Sequence, residues 1–445
     1  MSRATWQIAG IALVLFPAGV AAQGPLTLEG AVAAARAHNA SLRAARAGAD
    51  EAAAGRGQAR SAWFPTVTFS ESWQRGNQPV FVFSSLLSAR RFAAANFAID
   101  SLNHPDPIGF FQTTVGVEQS VFDGGRRHAA EIVASARADA AAAASAETIA
   151  TVTLATTQAF ARLVAAQAAR RAAAAALESA REDHARAARR RDAGMLTDAD
   201  VLALAVHVAD LEQRAIQSSG DAASAEADLN RLMGAAIDSR VLAVDPAAAE
   251  IDPEIRGRNI AALLAEAEKA RPELARAAAA ERSAEAARRQ ARSALIPSIV
   301  AQAAVNVSGT GIADRASSWI AGGELRWTFS TGGGDLAAVR ASTAALARAR
   351  AEMDDVCGAV HVDVVKAFHQ LETAQARRAA SAAAVEQARE SQRIIRDRFD
   401  AGLAPVNDVL RASTALLDAD ASRIAALVDS IVAAAALRRS LGRIP

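Results

Sequence analysis

Residues 126–193 contain neither proline nor glycine, and residues 335–401 contain only Gly358, although the chain has twelve prolines. Alanine and arginine dominate both stretches. Both favour helix, so each stretch is expected to be one continuous helix. At about 1.5 Å per residue, a helix of about 68 residues is a rod of roughly 100 Å. That is about three times the hydrocarbon thickness of a bilayer, and its many Arg, Asp and Glu side chains could not sit in lipid. The rods must stand in water and pack along alanine-rich seams. Small side chains bring helix axes close but bury little area each. Several partners are therefore needed, which favours a large helical assembly over an isolated hairpin.

The rods belong to a duplication. Gln58-Ala59-Arg60-Ser61-Ala62 returns as Gln290-Ala291-Arg292-Ser293-Ala294, followed by Trp63-Phe64-Pro65 and Leu295-Ile296-Pro297. Ala159-Phe160 returns as Ala367-Phe368, and Asp192-Ala193-Gly194 as Asp400-Ala401-Gly402 at the same separation. Asp200-Val201-Leu202 likewise matches Asp408-Val409-Leu410. Alanine bias does not explain matches carried by Gln, Phe, Pro, Gly and Asp. The expected layout has a first repeat at 23–234, a linker at 235–258 holding Pro246 and Pro253, and a second repeat at 259–445. The first helical stretch, 27–62, is interrupted at Asn39 and ended by Pro65.

Between the helices the period changes to two. Val67, Phe69 and Trp73 alternate with Thr66, Thr68, Ser70, Ser72 and Gln74; Val115, Val117 and Val121 alternate with Gln112, Thr114, Glu118 and Ser120. The second half repeats this in Ile299–Ser308 and in Ser318–Phe329. Strands are expected at about 66–76, 110–122, 298–308 and 318–329, with long helices at about 126–193 and 335–401. Segments of about ten alternating residues suit an outer-membrane barrel, and a soluble sheet in a coiled-coil structural protein alternates too. The water-standing rods favour the barrel. Four strands cannot close one, since about eight are needed, and an open sheet leaves edge amides unsatisfied in lipid. Strands in a membrane therefore require a homo-oligomer. Residues 76–109, between the first two strands, form a longer connection than their counterpart at 309–317 and carry Phe81, Phe83, Phe92 and Phe97.

Residues 1–22 read as a signal peptide: Arg3, then the apolar stretch Ile8–Val20, then small residues, with cleavage expected between Ala22 and Gln23. No later run approaches a transmembrane helix. The formal net charge of +1 argues against a nucleic-acid partner. Cys357, the one cysteine, allows no intramolecular disulfide and lies far from any lipidation signal; it is read as a small helix residue. His361 and His369, eight apart with Asp363 between them, lack the spacing of three or four usual for metal ligands on a helix, and are read as surface residues. Gly332-Gly333-Gly334 has no following Gly-Lys-Ser/Thr and, like Gly124-Gly125, is read as a strand-to-helix joint. No nucleophile elbow or zinc-spaced cysteine set is present. No enzyme activity and no cofactor are expected.

The duplicated order, the opening Leu26-Thr27-Leu28-Glu29 with Ala31 and Asn39, the Arg-Ser-Ala…Pro joints and the run Gly402-Leu403-Ala404-Pro405…Asp408-Val409-Leu410 resemble the TolC-like outer-membrane efflux proteins over essentially the whole mature chain. The resemblance implies a mainly α fold carrying a membrane β-barrel. Three chains of four strands would close a twelve-stranded barrel above a twelve-helix periplasmic tunnel with an α/β girdle. It implies a passive, non-lipidated conduit in the outer membrane of a Gram-negative bacterium, lying in outer-membrane lipid. Its implied partners are a periplasmic adaptor and an inner-membrane pump, of the proton-driven RND type first and an ABC exporter second. Gly194, Met195, Leu196 and Thr197, with Gly402, Leu403, Ala404 and Pro405, would be the periplasmic tips that meet the adaptor. Asp408 matches an aspartate ringing the tunnel entrance, with Asp200, Phe399 and Arg411 expected beside it. Arg411 stands where the family's best-known member has a second aspartate ring. Ala404 and Phe399 replace the arginine and tyrosine of its gate, so that polar latch does not carry over.

Overall fold

The computed structural model describes residues 25–244, 259–311 and 314–444. The expected signal peptide, most of the expected linker and Pro445 lie outside them. The chain opens with α1 (Leu28–His38) and α2 (Ala40–Ser61), separated at Asn39 as expected. The Asn39 carboxamide oxygen accepts from the N–H groups of Ser41 and Leu42, and its Nδ2 donates to the Leu232 carbonyl. One side chain thus caps the second helix and ties it to the end of a later one. Strand β1 (Thr66–Gly76) follows, then α3 (Pro79–Ser88), a short 3-10 turn (Ala94–Phe97), α4 (Ile99–Asn103) and β2 (Ile108–Phe122). The first rod is α5 (Arg126–Asp192), which turns into α6 (Asp198–Met233). The second half runs α7 (Ile260–Ala270), α8 (Pro272–Ser293), β3 (Ser298–Gly309), β4 (Arg315–Arg326), α9 (Gly334–Asp400) and α10 (Val406–Ser440).

The strands form one antiparallel sheet in the order β1-β2-β3-β4. Val67 faces Val117, Phe69 faces Val115, Val115 faces Val305 and Val305 faces Trp319, so the apolar positions of all four strands share a face. Thr68, Gly116, Ala304 and Ile320 align on the other, as do Ser70, Thr114, Asn306 and Ser318. The apolar face is open to the surroundings: Val67, Phe69, Trp73, Val305 and Trp319 are all exposed. Where the rods join the sheet, Trp63, Phe64, Phe122, Trp327 and Phe329 are exposed as well. Strands of eleven to fifteen residues match or exceed the nine to eleven that span a bilayer, and aromatics at the strand ends suit its interface.

The structure departs from the sequence expectation in three places. The last strand spans Arg315–Arg326 rather than 318–329. Ser298, the first residue of β3, already pairs with Arg326, so among the described residues Trp327 and Phe329 have no ladder partner. Trp327 instead donates its indole N–H to the Leu295 carbonyl at 3.3 Å and stacks on Phe329. The connection 76–109 is largely helical, and its phenylalanines pack on one another, with Phe83–Phe92 and Phe92–Phe97 centroids 4.7 and 5.0 Å apart. Finally, a stretch of α5 is long and apolar enough, by composition alone, to cross a membrane. Half of that window is buried against neighbouring helices, as alanine-rich packing produces.

The two rods differ in their neighbours. Helix α5 packs against α2, α6, α8 and α10, whereas α9 packs against α7, α8 and α10. One core cluster joins Ala31, Phe160, Leu163, Leu229 and Met233; another joins Leu263, Ala267, Val360, Val364, Leu371 and Leu437. Both lie midway along the rods. Beside the first, Leu26 bridges Ala243 in parallel and donates to the Leu242 carbonyl at 2.8 Å.

Candidate functional site at the helical tips

Each rod reverses through the same turn. Gly194 has φ +74° and Gly402 φ +73°, the left-handed conformation that glycine adopts without a Cβ clash. In the first tip Gly194 N donates to Arg191 O and Met195 N to Arg190 O, both at 2.8 Å; in the second Gly402 N donates to Phe399 O and Leu403 N to Arg398 O. These bonds satisfy the last helical carbonyls. Met195 and Leu403 then occupy equivalent positions and are 63% and 70% exposed. Each tip therefore presents one large apolar side chain to the surroundings.

The helix starts after the tips differ. Thr197 caps α6: its hydroxyl accepts from Asp200 N, and the Asp200 carboxylate accepts from Thr197 N at 3.1 Å and from the Thr197 hydroxyl at 2.7 Å. Asp200, expected beside the tunnel entrance, is thus engaged in a capping box. Pro405 occupies the N-cap position of α10, extended at φ −76° and ψ 157°. Asp408, in the first turn of α10, is half-buried, and Arg411 is exposed. Phe399 does not stand open at an entrance. It is 9% exposed and packs with Ala187, Val201, Leu204, Val406 and Val409, with Leu196 and Ala404 against the same cluster.

Polar contacts close the tip within the chain. Arg190 of α5 donates to the carbonyls of Phe399 and Asp400 at 3.1 and 3.0 Å, with its guanidinium 5.3 Å from the Phe399 ring centroid. Two turns above, Arg396 of α9 donates to the Asp183 carboxylate at 2.8 Å and to the Ser179 hydroxyl, while Asp183 also accepts from Arg186. The sequence did not mark Arg190, Asp183 or Arg396, because the partners lie more than two hundred positions apart. On α6, burial pushes the His207 imidazole below its ordinary pKa, against a smaller opposing pull from Asp210. The ring is therefore neutral at pH 7.

At the other end, a hollow on the sheet is lined by Thr66, Thr68, Glu118 and Gln302 together with Ala304 and Ile320. The joint beneath β2 is held by Asp123. Burial alone would raise its carboxyl; hydrogen bonds from the Arg127 backbone and side chain, the Arg127 charge and the Gly125 N–H outweigh that and hold it below the usual range.

Solved structures of similar fold cover nearly the whole chain. The outer membrane protein VceC of Vibrio cholerae aligns with a TM-score of 0.77 at 19% identity, over 94% of this chain and 96% of that one. A membrane protein from Pseudomonas aeruginosa aligns with a TM-score of 0.80 at 19% identity, over 94% and 90%. The open state of the MtrE outer membrane channel of Neisseria gonorrhoeae aligns with a TM-score of 0.74 at 17% identity, over 94% and 89%. No curated protein matches the chain. The family model described as outer membrane efflux protein matches residues 31–235 and 263–443. Those two segments are nearly all of the two-part helix-and-strand architecture just described, and the chain belongs to the outer membrane efflux protein family.

Proposed function

We propose that three copies of this chain form the outer-membrane duct of a tripartite export system, a passive conduit for cargo delivered from an inner-membrane pump through a periplasmic adaptor. The observation that carries the assembly is the sheet itself. Strands β1 and β4 are both edges, while the face bearing Phe69, Trp73 and Trp319 is exposed. An apolar sheet face calls for lipid, and lipid does not tolerate unpaired edge amides. Pairing β4 of one copy with β1 of the next removes every edge when the ring closes, and three copies of four strands give twelve. The duplication supports the same ring below the membrane. Helix α8 lies between α5 and α9, and α2 holds the equivalent place beside α5 with its far side open to a neighbour's α9.

In this reading residues 23–234 and 259–445 are two structural repeats of one ancestral unit. The tips carrying Met195 and Leu403 receive the adaptor through apolar contact, and Asp408 lies toward the axis, where three carboxylates would favour cations. A proton-driven RND pump is the first candidate for the inner-membrane partner and an ABC exporter the second. The test is biochemical. Detergent-extracted protein from the outer-membrane fraction should migrate as a trimer that heating converts to monomer, and it should form channels in planar bilayers. A water-soluble monomer without detergent overturns the proposal.

A further inference from the structure

Three different ligand types meet where α7 docks on α9. Leu263 and Ala267 of α7 pack with Val360 and Val364 of α9 in one buried cluster, which fixes the register of the two helices. Glu268 directly follows Ala267. Cys357 and His361 stand four apart, so both side chains leave one stripe of α9. Cys357 Sγ lies 3.8 Å from His361 Nε2, and His361 Nε2 lies 2.8 Å from Glu268 Oε1. Thiol, imidazole and carboxylate all fall within 4.8 Å of one another. The cluster is reachable from solvent, with the His361 and Glu268 side chains 37% and 48% exposed and Cys357 half-buried.

We propose that Cys357, His361 and Glu268 form a binding site for a divalent cation of the zinc class, one per chain, clipping α7 to α9. The donor set is one sulfur, one nitrogen and one oxygen, which suits a borderline-soft ion rather than magnesium or calcium. Around a tetrahedral zinc, bonds of about 2.3 Å to sulfur and about 2.0 Å to nitrogen place those atoms about 3.5 Å apart, and nitrogen and oxygen about 3.3 Å apart. The sulfur–nitrogen and nitrogen–oxygen separations need changes of about half an ångström or less, and the sulfur–oxygen pair, within 4.8 Å, has to close toward about 3.5 Å, all by side-chain rotation. On binding, the thiol gives its proton to solvent and a water completes the fourth position. The spacing that hides the site in the sequence is the pair His361 and His369. His369 takes no part, since its Nδ1 meets Glu372 at 3.0 Å instead.

The test uses the full-length mature protein purified in detergent, and its readout does not depend on export activity. Titration with cobalt should give a thiolate-to-cobalt charge-transfer band that zinc abolishes, at one equivalent per chain. Cys357→Ser should lose the band, His361→Ala and Glu268→Gln should weaken binding by about tenfold or more, and His369→Ala should leave it unchanged. In the unsubstituted protein zinc should protect Cys357 from alkylation, a measurement that needs no variant to fold. Absence of the band with unprotected Cys357, or equal zinc binding by the native and Cys357→Ser proteins, reduces the cluster to a His361–Glu268 ion pair and overturns the proposal.

Discussion

Helices α5 and α9 are each 67 residues long and hold the same place in their halves, yet α5 buries fifteen residues and α9 only nine. The register that sets Phe160 against Phe368 also sets Ala129 against Ala337 and Ala136 against Ala344. Ala129 and Ala136 are both 2% exposed, whereas Ala337 and Ala344 are open to solvent. The cause is neighbours, not composition: α5 lies between α2 and α8, while among the described residues α9 packs on α8 alone in that layer. Helix α6 carries the complementary deficiency, with Leu202, Val206 and Ile216 exposed, while Leu410 and Ile424, the counterparts of Leu202 and Ile216 on α10, are half-buried. A seam built for helix packing but uncovered within one chain is what a ring of copies would cover.

The sharpest way to break this comparison is to place a charge on each rod at the matched position. Ala136→Glu buries a carboxylate without a partner within the chain and should cost about 3–5 kcal/mol, leaving little folded protein in the membrane fraction. Ala344→Glu meets only solvent in one chain, where a surface change costs within about 0.5 kcal/mol. If copies pack as proposed, it should nonetheless abolish the heat-modifiable trimer on gels. A normal trimer from Ala344→Glu would mean that α9 is not an interface.

Truncating the matched phenylalanines sharpens the contrast. Phe160 is fully buried, and Phe160→Ala should cost about 3–5 kcal/mol. Phe368 is half-buried beside its own cluster, and its loss should lower stability by less in thermal unfolding monitored by circular dichroism. Equal losses would show that the assembly covers Phe368 as completely as the chain covers Phe160.

How much of this was legible in the sequence depended on the range of the interactions. The rods, the turns at Gly194 and Gly402 and the alternation of the strands are local, and they stand where the periodicity set them. The end of β4 was misread because Trp327 and Phe329 continue the alternating pattern after the partner strand has run out at Ser298. Phe399, expected at the tunnel entrance from the family resemblance, is drawn into the tip core by Val201 and Val409, which arrive from two other helices. The ligands of the proposed metal site were half legible: Cys357 and His361 have helical metal spacing, but Glu268 comes from another helix.

At the tips the two halves again differ at matched positions. Arg190 binds the carbonyls of Phe399 and Asp400, while Arg398, its counterpart on α9, is exposed. Arg190→Ala removes charged hydrogen bonds worth about 1.5–3 kcal/mol each at most and should release the end of α5 from α9. Single-channel conductance should rise several-fold, and Arg398→Ala should leave it near the native value. Equal conductance of both variants would mean that the Arg190 contacts do not restrict passage at the tips.

The smallest difference lies at the strand-to-helix joints. Asp123 receives hydrogen bonds from Gly125 and Arg127 in the first, whereas Thr331 stands at its position in the second, where the Ser330 hydroxyl accepts from Gly334 N at 3.1 Å. The Asp123 carboxyl is held below its ordinary value, so its contribution is complete above the unfolded aspartate pKa of about 3.9 and is lost as pH falls through the lower folded value. Asp123→Asn should therefore destabilise the protein by about 1–2 kcal/mol at pH 7 and by progressively less on acidification below pH of about 4. The hydroxyl joint has no such dependence, because Ser330 and Thr331 do not titrate. Ser330→Ala should produce a loss in thermal midpoint that is the same at pH 7 and at pH of about 3. If the Asp123→Asn deficit also stayed constant over that range, the carboxylate would not be what holds the first joint.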